Sequence, residues 1–190
     1  RDEWSQRRGI AGISLMYKLA GALADQGASL TQMVDMLQRA NERLSSFGVA
    51  FSSCTLPGTD KPIFEMSETD MEIGMGIHGE PGIHRGTMVP ADELADILIT
   101  RLIEDQQLTE GDHVAVLVNG LGATCMEELY LLFSAVAKIL EDRGITIYKT
   151  YVGEYATSME MAGLSLSVLK LDKETEELID QPAYTPFTVI

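Results

Sequence analysis

Hydrophobic residues open the chain at helical spacing. Ile10, Ile13, Leu15, Met16, Leu19, Leu23 and Ala24 share one side of a helix over residues 9–25, and Gly27 is placed to stop it. Ser29 and Gln32 have the separation of a capping box. They open a second amphipathic helix through Leu30, Met33, Val34, Leu37, Ala40 and Leu44. The period then changes. FGVAFSSC (47–54) has strand character, LPGTDKP (56–62) is rich in turn formers, and PIF leads toward another strand. MEIGMGI (71–77) alternates, with Met71, Ile73, Met75 and Ile77 on one face and Glu72, Gly74 and Gly76 on the other. HGEPGIHRG (78–86) reads as a loop, its Pro81-Gly82 suited to a type II turn.

In the second half, Pro90 sits where a helix can begin, and ADELADILITRLIED (91–105) carries it. HVAVLV (113–118) is an apolar run fit for a buried strand. NGLGAT (119–124) is a glycine loop, and CMEELYLLFSAVAKILEDRG (125–144) is a long helix ending at Gly144. ITIYKTYV (145–152) and LSLSVLKL (164–171) are strands, Asp172 caps a last short helix, and QPAYTPFTVI trails off extended. The strand–helix–strand unit at 113–152 implies parallel pairing, whereas the earlier strands imply hairpins. The expected architecture is a single α/β (α+β) domain over residues 1–190. It is a two-layer sandwich, a mixed sheet with helices packed mainly on one face.

Composition narrows the function classes. The 190 residues carry 14 Lys plus Arg against 29 Asp plus Glu, a formal charge of −15. Such a charge repels phosphate backbones and anionic membrane surfaces, which argues against nucleic acid and membrane as partners. Hydrophobic content of 45% and charged content of 23% are ordinary for a globular fold. The apolar stretch GISLMYKLAGALA contains Lys18 and is too short to span a bilayer, and Arg1, Asp2 and Glu3 do not resemble a signal peptide. Two cysteines, Cys54 and Cys125, fit a reducing cytosol, so the protein is expected to be soluble and cytoplasmic. The chain begins without methionine, just before a fully formed helix, and is expected to be the C-terminal portion of something longer.

GMGIHGEPG (74–82) is the sharpest chemical feature. By parity His78 shares a face with Gly74 and Gly76, opposite the apolar row, and the glycines leave a shallow space beside the imidazole. A small ligand could approach one ring nitrogen there. Alternatively His78 is a turn histidine and the glycines serve only a tight bend. His84, beside Arg85, and His113, before a strand, read as solvated side chains. A metal set of His78, Glu80 and His84 has no helical ligand spacing and no cysteines behind it, so no metal is expected. NGLGAT either holds an anion at the following helix or is a tight turn with Thr124 as cap. It matches neither G-x-x-x-x-G-K-S/T nor G-x-G-x-x-G, so no nucleotide cofactor is expected on these residues. Glu154 and Glu160, in EYATSMEMAG (154–163), read as solvated loop carboxylates. The ten methionines fall mostly on apolar stripes, as core or interface filler.

GMGIHGEPG, VNGLGAT followed by MEELY, and EYATSMEMAGLSLSVLKLD, together with RRGIAGISLMYKLAGA and DQPAYTPF, resemble the C-terminal half of the dihydroxyacetone kinase K subunit. These motifs keep the family's order and cover nearly the whole chain. The resemblance implies a homodimeric, cytoplasmic phosphotransferase. In it the histidine of I-H-G-E-P-G, here His78, captures the substrate carbonyl as a covalent hemiaminal; Gly76, on the glycine face beside His78, is the further candidate substrate contact. The family's N-terminal domain, with its G-G-G-S-G-H-E-P motif and remaining acid–base residues, is not in this sequence. The phosphoryl donor, ATP or an L subunit charged by the sugar phosphotransferase system, belongs to another domain or subunit. The partners implied are dihydroxyacetone or a similar small carbonyl compound and the L part. Two other functions stay open, a dihydroxyacetone-binding transcriptional coactivator and a dimerisation scaffold.

Overall fold

A computed structural model describes residues 7–185. A 3-10 turn, Ile10–Gly12, leads into α1 (Ile13–Asp25) and α2 (Leu30–Glu42). Then follow β1 (Leu44–Ala50), β2 (Asp70–Ile73), β3 (His84–Thr87), α3 (Ala91–Gln106), β4 (His113–Gly120), α4 (Met126–Asp142), β5 (Thr146–Gly153), β6 (Gly163–Lys170) and α5 (Lys173–Ile179). The six strands form one sheet in the order β3-β2-β1-β6-β4-β5. Every pairing is antiparallel except β4 with β5, which is parallel and bridged by α4. Both topological expectations hold, hairpin pairing early and a crossover unit late.

The mixed sheet and the α/β class are as expected, but the layering is fuller than two. On β4, Val114, Val116 and Val118 face one core with α3 and α4, while Ala115 and Leu117 face a second core with α1, α2 and α5. β6 divides in the same way, Leu164, Leu166 and Val168 against Leu169. Burial on both faces of the central strands demands helices on both sides, giving three layers.

Local signals explain the element ends. The Ser29 hydroxyl accepts from the Gln32 N–H, and the Gln32 side chain accepts from the Ser29 N–H, completing the capping box. The Asp172 carboxylate accepts from the Thr175 N–H at 2.9 Å and starts α5. α4 is capped at Cys125, one residue later than expected. Thr124 instead accepts from the Gly163 N–H at 2.8 Å and donates to the Gly163 carbonyl at 2.7 Å. PIF forms only an isolated bridge, Thr55 with Pro62. The C-terminal end of QPAYTPFTVI lies outside the described residues.

Asn119, fully buried at the end of β4, fastens the loop before β6 to the sheet. Its Oδ1 accepts from the Tyr155 and Ala156 N–H groups at 2.8 and 2.9 Å, and its Nδ2 donates to the Ala156 carbonyl at 2.8 Å. Asn119→Ala orphans two partly buried backbone donors and empties a fully buried position, and should cost on the order of 3 kcal/mol in urea unfolding. A loss below about 1 kcal/mol would mean that water satisfies those groups and the loop is held elsewhere.

Candidate functional site

β2 pairs with β3 so that Glu72 lies directly across from Arg85. Although on the polar side of the alternation, Glu72 is buried, at 7% exposure. One carboxylate oxygen accepts from the Arg85 Nε at 2.9 Å and also receives Arg85 Nη2; the other accepts from the Gly82 N–H at 2.7 Å. Burial alone would push this carboxyl up. The guanidinium and the Gly82 amide outweigh that and hold it below the ordinary carboxylate range. Arg85 also donates to the Glu65 carbonyl at 2.9 Å. Arg85 is therefore an anchor rather than a solvated neighbour of His84.

This clamp closes the base of the loop at residues 74–83. Arg8 adds a second tie, donating to the Gly74 carbonyl at 3.0 Å and the Pro81 carbonyl at 3.3 Å. β2 ends at Ile73 rather than running to residue 77, because Gly74 takes a left-handed φ of +85° and turns the chain. Met75 then drops into a small core with Ala50, Cys54, Leu121 and Met161, and Ile77 packs against it. Parity along a strand thus does not place His78; the turn at Gly74 and the burial of Met75 do.

The His78 side chain is 79% exposed. Glu80 holds it from behind. One Glu80 oxygen accepts from the His78 backbone N–H at 3.1 Å, and the other lies 3.2 Å from the ring Nδ1. Burial would raise the Glu80 carboxyl, but backbone N–H groups and the His78 ring more than offset it and hold it low. A carboxylate only accepts, so this approach is a hydrogen bond when Nδ1 carries a ring proton. Gly76 is buried beneath this arrangement, and a Cβ there would overlap the Glu80 carboxylate.

The other candidates lie apart. His84 is exposed on β3, its ring beside Gly86. His113 Nδ1 is 2.6 Å from Glu176, and its ring stacks on Tyr148. Among the described residues, no three His, Cys, Asp or Glu side chains gather to hold a metal. The Glu160 carboxylate accepts from the Thr55 N–H at 2.5 Å, and Glu154 lies against Gly120 at the end of β4. A cleft of about 700 Å³ opens at the foot of the loop, lined by Arg8, Phe47, Gly74, Pro81, Ile83 and Arg101. His78 is not among the residues that line it. Glu72, Arg85 and Arg8 were missed by sequence reasoning, and Glu80 was weighed only as a metal ligand. β3 forms where the sequence reads as a loop, so the pairing of Glu72 with Arg85 had no local signal.

A family model described as the Dak1 domain matches residues 1–187. Over 181 residues the chain is 45% identical to the PTS-dependent dihydroxyacetone kinase 2, dihydroxyacetone-binding subunit DhaK, of Listeria innocua, covering 95% of this chain and 55% of that protein. It is 42% identical to an L-erythrulose kinase of Pectobacterium atrosepticum, covering 97% of this chain and 32% of that protein. The solved structure of the dihydroxyacetone kinase operon co-activator Dha-DhaQ superimposes with a TM-score of 0.86 at 30% identity, covering 92% of this chain and 55% of that one. The chain thus spans about half, or less, of the length of the proteins it matches.

The Glu72 clamp has a pH signature. A carboxyl whose folded pKa lies below its unfolded value stabilises the fold above the unfolded value, and that contribution is lost as pH falls through the folded one. Urea midpoints should therefore decline below the ordinary glutamate value of 4.5. Glu72→Gln should start lower at neutral pH and show a shallower acid decline. Parallel curves for the two proteins would remove Glu72 as the clamp.

Proposed function

The chain belongs to the Dak1 domain family, and from that membership we propose that it is the substrate-capturing part of a kinase for dihydroxyacetone or a related short ketose. The observation that carries the reading is the exposed His78 imidazole. It is held on a clamped loop with Nδ1 engaged by Glu80, within the sequence IHGEPG that marks the resemblance. An imidazole nitrogen with a free lone pair can add to a ketone carbonyl. The resulting hemiaminal fixes a three- or four-carbon substrate and presents its terminal hydroxyl to a phosphoryl donor, converting an encounter into a held geometry. Polyols such as glycerol have no carbonyl and are excluded. The named substrates of the two relatives, dihydroxyacetone and L-erythrulose, are both short hydroxyketones, which supports that class.

The acceptor base and the phosphoryl donor lie on other parts of the assembly. The donor is ATP or an L subunit or domain charged by the sugar phosphotransferase system. The functional unit is a cytoplasmic homodimer. Free Cys54 and Cys125 accord with a reducing compartment, and no helix among the described residues is long and apolar enough to cross a membrane. Exposed Tyr130 and Leu131 on α4 offer apolar surface for a second copy. The similarity to Dha-DhaQ favours one alternative, a coactivator that shares the capture step and lacks phosphoryl transfer.

Carbon NMR with dihydroxyacetone labelled at its carbonyl tests capture. A bound tetrahedral-carbon signal is expected, absent in His78→Ala, whose side chain is nearly all in solvent and whose loss should leave the urea midpoint unchanged. A His78→Ala protein that unfolds, or one that keeps the signal, would overturn the assignment. Adding an L subunit and phosphoryl donor then separates kinase from coactivator by whether dihydroxyacetone phosphate appears.

A further inference from the structure

We infer that Glu80 is a positioning residue for His78, fixing the ring as its Nδ1–H tautomer with Nε2 outward, and that Gly76 serves to make room for it. The inference deepens the capture reading and rests on it.

The geometry is reciprocal. Glu80 uses both carboxylate oxygens on one residue, Oε2 on the His78 backbone N–H at 3.1 Å and Oε1 toward Nδ1 at 3.2 Å. The first bond sets where the side chain leaves the backbone, and the second sets the ring's rotation. A turn of backbone holds the carboxylate itself: the Gly76 N–H donates to the Glu80 carbonyl at 3.2 Å, and the Gly79 N–H to the Gly76 carbonyl at 3.1 Å. Any side chain at Gly76 would occupy the space of Glu80 Oε2 and press on Arg8 Cδ at 3.2 Å. Gly76, expected beside the substrate, thus acts one step back, through Glu80.

The arrangement also handles the proton. Attack by the Nε2 lone pair forms the nitrogen–carbon bond and moves the carbonyl π pair onto oxygen, which takes a proton from solvent. The ring, now positive, releases its Nδ1 proton to the Glu80 carboxylate, which passes one to solvent. One proton enters and one leaves, and the product is a neutral hemiaminal. A carboxylate on the far nitrogen raises the basicity of the near one, as it does for histidines bound to metals.

Nitrogen NMR of the chain labelled at histidine reads the tautomer directly, without substrate. Wild-type neutral His78 should appear protonated at Nδ1. Glu80→Ala, Glu80→Gln and Gly76→Ala should each move it toward the Nε2–H form that free histidine favours, while Glu80→Asp keeps part of the wild-type signature. Capture of carbonyl-labelled dihydroxyacetone should slow about tenfold in Glu80→Ala and Gly76→Ala. Urea midpoints identify any variant that has lost its fold, leaving the others to decide. A wild-type His78 protonated at Nε2, or a tautomer unmoved in folded Glu80→Ala and Glu80→Gln, overturns the inference. If wild type shows the Nδ1–H tautomer yet forms no adduct, the capture reading fails and the Glu80 assignment stands.

Discussion

β6 is bonded along its length to β1 on one side and β4 on the other, and both faces of this central sheet are buried. A strand pair with no exposed face must be covered twice, and that requirement organises the molecule. α3 and α4 close one side through the valines of β4 and the leucines of β6. α1, α2 and α5 close the other, where the strands offer smaller side chains. Ser46 and Ser167 bond to one another at 2.7 Å there, and Gly12 lies over Ser46 with no room for a Cβ. Small polar residues that satisfy each other let the 3-10 turn approach the sheet closely.

The loop that carries His78 is attached at the edge of this sheet, beyond β2 and β3. β2 pairs with β1 only at its end, through Val49 and Ala50. The loop from Gly74 fills the space beyond, with Met75 as its buried plug. Its rigidity is electrostatic at the base and apolar beneath. A buried carboxylate is costly unless charge and hydrogen bonds converge on it, and Glu72 receives both from Arg85 and Gly82. The loop exposes most of the His78 side chain while Glu80 contacts both its backbone N–H and its ring. Division between a fixed base and an open tip suits a group that must meet a small solute, since it removes orientational freedom before the encounter.

The site was legible in part. His78 was identified from its glycine-rich setting, and the structure exposes it, but for a reason other than strand parity: Gly74 ends β2 before parity could act. Gly76 was singled out as a neighbour of His78, and the structure sets it against the Glu80 carboxylate, a contact that no spacing in the sequence announces. Glu80 was weighed only as a metal ligand, because sequence spacing cannot show that a turn folds its carboxylate back onto the histidine two residues earlier. Glu72 and Arg85, thirteen positions apart, become partners only through strand register. Arg8 reaches carbonyls sixty-six and seventy-three positions away, and nothing in its neighbourhood marks it.

Local chemistry was the sequence's own contribution. Helical periodicity and the Ser29 and Asp172 caps rest on neighbours within a few residues, and both are present; the antiparallel pairing of the first half and the parallel crossover of the second follow from the order of elements along the chain. Layering was decided by tertiary structure. LSLS in β6 has the alternation of a half-exposed strand, yet Ser165 and Ser167 are wholly buried, because the 3-10 turn packs against β6 and both hydroxyls find partners, Asn119 and Ser46. Alternation reports that two faces differ in character; only packing determines whether the polar one meets water or another layer. The same holds at the loop that carries His78. Sequence supplied an imidazole and the glycines that let the chain turn, while the carboxylate beside its Nδ1 is placed by the fold.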